Sequence, residues 1–533
     1  MTSGAITAIT ESFTDDERSR LAPYFTNTSG PVFALVNMPE TVKGAMFARY
    51  SRYSGTLRRM FLDEFAGDVE AAGATAFEGS EGERAAALYE RVFLGYGDDS
   101  VAQLGGAHLA CEWVSNVLTK QLQRGRLAAY LEQSTRYIPY DTPMDGGGYR
   151  YYRSPELGPE YERAMDGLFA TYSDLLGRMR EWASKAYPPG EGDDPAAHKR
   201  AINAKSLDLV RGLLPAASLS HVGIFASGQA YENLLLRLAA SPLPEARLYG
   251  DLMLTELKKV MPSFLARMDR PDRGGRWIEY LRQRRAGADR WAERLGIGEP
   301  QAEDAPSVRL LHVDGDERSL AAASLYESSP LSEQKIDDAV AALADDELDE
   351  LIAAVVGDRE NRRHRPGRGF ERVRYRFEIV SDYGAFRDLQ RHRMLTCQWQ
   401  GLTPHLGAEL PHEIEEAGCG DDFRAALESS AAEFGRLESA GLAGQAPYAL
   451  CLAYRIRYIL DLNAREAMQL IELRSGREGH PSYRAVAHAM CAAIAEVHPR
   501  VAAAMTHVDR ETEPRLERLM AELRNQAHGV AKA

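Results

Sequence analysis

Cysteine is scarce in this chain. The five present, Cys111, Cys397, Cys419, Cys451 and Cys491, are odd in number and never fall at C-x-x-C spacing. A disulfide framework and a structural zinc site are both excluded as organising devices, and no metal is expected. Long hydrophobic runs are absent too: nothing approaches the roughly 18 apolar residues of a membrane helix, so no membrane span is expected. The first residues lack a basic segment followed by an apolar one, so no signal peptide is read and a cytoplasmic location is expected. An excess of positive charge is also missing. The formal charge is −14, which argues against nucleic-acid binding, because a phosphate backbone is held by a broad basic surface. A small anionic ligand remains open, since it needs only a local cluster of arginines.

The chain is long, 533 residues, with 44% apolar and 27% charged residues. At roughly 150 to 250 residues per domain it holds two or three domains. Apolar residues at three and four spacing predict helices over 100–123, 207–238 and 455–473. Shorter β-rich runs occur at 32–36, 309–313 and 373–380. This predicts an α+β fold with helix in excess. Between 270 and 306 the sequence turns polar and arginine-rich, then rich in Gly, Pro and acid, as a linker does. We therefore divide the chain into 30–270, a linker 271–306, and 307–510. A segment of copy one, residues 145–198, is rich in Gly, Tyr, Pro and charge and reads as a lid or a solvated surface insertion.

The two parts repeat one arginine signature. The first copy runs Gln121, Arg124, Gly125, Arg126, Ala129, Glu132, Gln133, Ser134, Thr135, Arg136; the second runs Asp388, Arg391, His392, Arg393, Thr396, Gly401. Later blocks repeat as well: Arg211-Gly-Leu-Leu-Pro215 in copy one, and Asn463-Ala464-Arg465 with Gln469 and Arg474 in copy two. If residues 132–136 are extended, Glu132, Ser134 and Arg136 share a face. A hydroxyl beside a guanidinium is a seat for phosphate. Arg391, His392 and Arg393 follow the apolar-patterned run 377–389, so they fall where a regular element ends. On a helix, Arg465 and Gln469 share one face, whereas Arg474 lies about three turns beyond Asn463 and shares that residue's face.

Taken together, these blocks resemble the R-H-R-x-x-S-x-x-x-x-S-x-R signature of flavin-dependent thymidylate synthases. The resemblance implies two tandem copies of that family's domain, each a twisted antiparallel sheet flanked by long helices, packed as a pseudo-dimer. It implies reductive methylation of dUMP to dTMP, with FAD as cofactor and methylenetetrahydrofolate and NADPH as co-substrates. It carries substrate binding to Glu132, Gln133, Ser134, Thr135, Arg136, Arg211, Arg391 and Arg474. It carries flavin binding to Arg391, His392, Arg393, Asn463, Arg465, Gln469, Ser51, Ser100 and Glu132. Arg474 takes the catalytic role, stabilising charge on the pyrimidine.

In that family each active site is assembled from two subunits. Here the nucleotide set survives in copy one and the flavin set in copy two, which implies one composite site per chain. Because the family forms homotetramers, a homodimer of fused chains is implied. Asp388 stands where the family has Gln, and Gly125, Ala129, Thr396 and Gly401 also depart from the pattern, so the nucleotide's identity stays open. The alternatives are a non-catalytic flavin- or nucleotide-binding paralogue, and a flavoenzyme acting on another pyrimidine nucleotide.

Overall fold

The computed structural model of the chain describes residues 8–71, 103–144, 147–190, 194–298 and 305–511, together with residues 302 and 516. Copy one contributes strands β1 (Val32–Leu35), β2 (Gly106–Ser115), β3 (Ala128–Glu132) and β4 (Leu219–Ser227). Its helices include α1 (Glu40–Tyr50), α2 (Asn116–Leu122), α3 (Gly158–Ala186), α4 (Pro195–Val210), α5 (Gly228–Ala239), α6 (Pro244–Val260) and α7 (Arg276–Arg294). Copy two contributes β5 (Ser307–Asp314), β6 (Arg374–Asp382), β7 (Leu395–Trp399) and β8 (Arg455–Asn463), with helices α8 (Tyr383–Leu389), α9 (Gly420–Ser439), α10 (Ala464–Arg474) and α11 (Pro481–Val497). The fold is α+β, built on two four-stranded sheets of the same order, β1-β2-β4-β3 and β5-β6-β8-β7, every pair antiparallel. No described helix is long and apolar enough to cross a membrane.

Two compact units emerge, and they do not follow the sequence copies. Unit 1 comprises residues 1–173, 213–300 and 424–451; unit 2 comprises 174–212, 301–423 and 452–533. Each unit therefore includes a segment of the other copy's sequence. Arg211 is placed in unit 2 by this partition.

Three segments expected to be helical are strand followed by helix. Of residues 100–123, the described part is β2 and then α2; 207–238 contains β4 and then α5; 455–473 is β8 and then α10. For the first two the reason is burial. In β2 and β4 nearly every residue is buried, so the alternation that marks a half-exposed strand is missing and apolar residues fall at helical spacings by chance. The switch to helix is set by caps. Ser115 and Asp382 end β2 and β6 and accept from Leu118 N and Ala385 N; Ser227 and Asn463 end β4 and β8 and accept from Ala230 N and Glu466 N. Side-chain oxygens at these positions satisfy otherwise orphaned helix amides. The matched caps also put the two copies in register, residue for residue.

Residues 145–198 are not a solvated insertion. Their main element is α3, a helix of 29 residues with Tyr161, Met165, Leu168, Phe169, Tyr172, Leu175, Leu176, Met179 and Ala183 buried. The stretch read as linker holds the 19-residue helix α7, none of whose residues is buried.

Candidate functional site

Unit 2 gathers the arginines. Asp388 lies on α8; Arg391, His392 and Arg393 follow in the turn that leads into β7; Arg474 closes α10; and Arg211 caps the C-terminus of α4. Three guanidiniums surround the Asp388 carboxylate: Arg391 at 3.6 Å, Arg474 at 3.8 Å and Arg211 at 4.0 Å. Three cations and one carboxylate leave a net charge of two positive, which matches a phosphate monoester dianion. Arg391 and Arg393 are exposed while His392 between them is buried.

His392 is hydrogen-bonded to Arg474. Arg474 Nε donates to His392 Nε2 at 3.1 Å, so that nitrogen carries the lone pair, and Nδ1–H donates to Glu466 Oε1 at 3.0 Å. The imidazole is neutral in this arrangement. Burial pushes its pKa down, against the pull of the Glu466 hydrogen bond. The Arg474 guanidinium also lies 5.5 Å from the centre of the Tyr483 ring. On the opposite side of α10, Arg465 donates to the Pro366 carbonyl at 2.8 Å and pairs with Glu371 at 3.6 Å, and Asn463 is spent on its capping bond at 2.9 Å. Gln469 lies half-buried on α10, four residues past Arg465.

Arg211 belongs to a second feature of unit 2, a cavity of about 790 Å³. That volume falls in the range of small-molecule sites, roughly 300 to 1,000 Å³. Arg211, Asp382, Ser482, His480, Trp182 and the ion-paired Lys205 and Glu413 are among its lining residues. Asp382 is buried, and burial raises its carboxyl to about 6 against the opposing charge of Arg211. Its Oδ1 accepts from Ala385 N at 2.9 Å and its Oδ2 accepts from Ser482 Oγ. Gly384 is what allows Arg211 so close: an added Cβ there would stand 2.8 Å from Asp382 Oδ1 and 3.1 Å from Arg211 NH2.

Unit 1 holds the expected phosphate seat in a different conformation from the one predicted. Strand β3 ends at Glu132, and residues 134–138 turn, with Tyr137 N and Ile138 N both donating to the Ser134 carbonyl at 3.3 Å. Glu132, Ser134 and Arg136 therefore do not line one strand face. Glu132 is buried against Lys120 at 3.0 Å and Gln123 at 2.9 Å. Gln133 joins Tyr53 and Arg150 through hydrogen bonds of 2.7 Å, and Thr135 is buried. Ser134 Oγ accepts from Arg136 N at 3.2 Å. Ser51, the C-cap of α1, is brought to this turn, its carbonyl accepting from Ser134 N at 3.2 Å. Ser100 lies outside the described residues.

The sequence pattern of the thymidylate synthase complementing proteins matches residues 51–263 and again 309–500. The chain belongs to this family. Proteins similar to it over nearly their whole length include UPF0159 proteins: one from Chlamydia muridarum, 38% identical over 97% of this chain and 99% of the relative, and one from Chlamydia pneumoniae, 37% identical over 92% and 94%. A third, from Thermoplasma acidophilum, is 29% identical over 90% and 98%. Among solved structures, a UMP/dUMP methylase PolB from Streptomyces cacaoi bound with 5-Br dUMP is similar at 17% identity, covering 40% of this chain and 100% of that one, with a TM-score of 0.32.

Around the arginine cluster and the cavity, sequence reasoning missed Glu466, Asp382, Ser482 and Gly384. Only Asp382 left a trace, as an acidic cap ahead of an apolar helical run. Glu466 sits at the third helical position after a cap, where Glu is common for structural reasons, so nothing set it apart.

Proposed function

We propose that this family member is a FAD-dependent enzyme that reductively methylates a pyrimidine nucleoside monophosphate, dUMP to dTMP, with methylenetetrahydrofolate as carbon donor and NADPH as outside reductant. The observation that carries the reading is the convergence of Arg211, Arg391 and Arg474 on one point of unit 2. Their charge suits a nucleotide phosphate, and the cavity that Arg211 also lines has the volume for a nucleoside.

The donor set fits flavin in part. The exposed guanidiniums of Arg391 and Arg393 suit a diphosphate or the anionic edge of a reduced isoalloxazine. Asn463 and Arg465 are less suited, being engaged by the Glu466 amide and by Pro366 and Glu371. FAD, when bound, supplies hydride chemistry. This chain's residues bind and orient: Arg211 and Arg391 hold phosphate, and Arg474 sits where negative charge would develop on the pyrimidine. A preorganised cation at such a point is usually the largest single catalytic contribution. No side chain needs to act as a nucleophile.

A second reading, a flavoenzyme acting on another pyrimidine nucleotide, is favoured by Asp388. An ionised carboxylate only accepts hydrogen bonds, so it would select a base edge or sugar that donates.

Tritium release from dUMP labelled at C5, with methylenetetrahydrofolate and NADPH present, tests the proposal. Release above background is expected together with a flavin absorption band. Bound flavin without release from dUMP, but with turnover of another pyrimidine nucleotide, selects the second reading. Bound flavin with no turnover of any pyrimidine nucleotide means a non-catalytic paralogue.

A further inference from the structure

Arg474 does not stand alone. Its Nε is held by His392 Nε2 at 3.1 Å, and His392 is held in turn by Glu466 at 3.0 Å. Fixing Nε fixes the plane of the guanidinium, and with it the direction of the terminal nitrogens, one of which faces Asp388 at 3.8 Å. We infer that Glu466 and His392 are positioning residues that set the tautomer and orientation through which Arg474 is aimed at the nucleotide. The inference rests on the proposed function for what Arg474 meets, but not for the relay itself.

The duplicated copy supplies the control. Matched caps put His392 opposite Gly125, ten residues past Asp382 and Ser115; Glu466 opposite Ala230, three past Asn463 and Ser227; and Arg474 opposite Leu238, eleven past the same caps. Copy one therefore lacks all three members at once, while its strand order and all its caps are retained. A relay needed only to hold the helix to the sheet would be missed in copy one. A relay that serves a ligand is lost as a unit when its site falls out of use.

A buried carboxylate that fixes an imidazole tautomer so that the far nitrogen can act on a third group is an established physical arrangement. Here the third group is a guanidinium. The ring acts only as an acceptor towards it, so no proton is transferred.

The test has two arms. In the first, Glu466→Ala is compared in the wild-type and Arg474→Ala backgrounds by tritium release and by dUMP affinity. The expected result is a fall in kcat of about 10- to 100-fold in the wild-type background, little change in dUMP affinity, and no further fall when Arg474 is already gone. Glu466→Gln, which keeps the acceptor oxygen, should recover kcat to within about threefold of the original. An equal fall in both backgrounds overturns the inference.

The second arm does not depend on turnover. In protein labelled with ¹⁵N-arginine, the Arg474 Nε–H signal, assigned by its absence in Arg474→Lys, should be slow to exchange with solvent. It should become fast in Glu466→Ala and in His392→Phe, which fills the same volume while removing both hydrogen bonds. Persistence of the slow signal in either variant overturns the relay. If the native enzyme releases no tritium, the functional proposal fails while this arm still decides the relay.

Discussion

Replacing Asp388 with Asn should tighten nucleotide binding and weaken the fold. The side chain keeps its shape and loses its charge, so it no longer offers a negative charge to the three guanidiniums at 3.6, 3.8 and 4.0 Å. A phosphate held on their far side lies at about twice that spacing, roughly 7 Å from the carboxylate. A single charge repels a dianion at that distance by about 1 kcal/mol in a water-like medium, and several times more in a drier one. Because the Asp388 side chain is only 16% exposed and that of Arg211 4%, the water-like figure is a lower bound, and it corresponds to a Kd at least about fivefold tighter. Stability should move the other way, by about 1 to 3 kcal/mol, since three cations are left facing each other. Titration calorimetry with dUMP at low and high salt measures the first effect, which should shrink as salt screens the charges; urea unfolding measures the second. If Asp388→Asn leaves dUMP affinity unchanged or weakens it at low salt, the carboxylate is not a rival anion. A gain in affinity for dUMP with a loss for dCMP would instead mean that it reads a donor on the base.

Three further outcomes are expected. Asp382 titrates at about 6 in the fold and near 3.9 when unfolded. Between those values the folded chain keeps a proton that the unfolded chain has released, so stability falls as pH rises from about 4 to 6, and the penalty persists above. Asp382→Asn should remove up to about 3 kcal/mol of that loss, read as a smaller difference in urea stability between pH 4.5 and 7.5; an unchanged difference would show that this carboxyl does not titrate there. Gly384→Ala places a Cβ 3.1 Å from Arg211 NH2 and 2.8 Å from Asp382 Oδ1, and should weaken dUMP binding about tenfold at a stability cost of about 1 kcal/mol, whereas unaltered affinity would remove Arg211 from the phosphate site. Arg211→Ala, which removes one of the three guanidiniums around Asp388, should weaken dUMP binding at least about tenfold while flavin absorbance is retained, and loss of both together would refute separate nucleotide and flavin contacts.

Strands β1, β5 and β6 were legible because they are short and β-rich, bounded by turns or polar residues. Strands β2, β4 and β8 were merged with the helix that each runs into without a loop; β6 enters α8 in the same way but kept a β-rich pattern distinct from it. The same flanking effect hid α3. Tyr161, Met165, Leu168, Tyr172, Leu175, Leu176 and Met179 form a good helical stripe, but glycines before it and Pro-Pro-Gly after it made the region read as loop. Within the site, spacing along the chain placed Arg391 and Arg393 beside His392 at the end of an element. It had no means of bringing Arg211 and Arg474 to Asp388, since one lies 177 residues before it and the other 86 after it; that grouping came from resemblance to the family. Glu466 was invisible for a different reason. Its chemistry depends on a ring nitrogen held by a turn between α8 and β7, which no local pattern encodes.

The two copies also make one contact in opposite senses. Ser115 and Asp382 are equivalent strand-end caps, and Glu245 and Ser482 each follow the proline that begins the next equivalent helix. In unit 1 the cap donates, Ser115 Oγ to Glu245 at 2.6 Å; in unit 2 the cap accepts, from Ser482. Their surroundings differ accordingly. Glu245 is fully buried, its pKa raised by burial, and it accepts from the Tyr448 hydroxyl at 2.7 Å, with Tyr448 stacked on Tyr152 at 4.6 Å. Asp382 has the Arg211 charge beside it and a cavity in front. Burial raises the pKa of both carboxyls, but only Asp382 has a guanidinium and a cavity beside it. The loss of Glu466, His392 and Arg474 equivalents from copy one follows the same direction. In unit 1 this contact is closed into core, whereas in unit 2 it lies at a cavity wall.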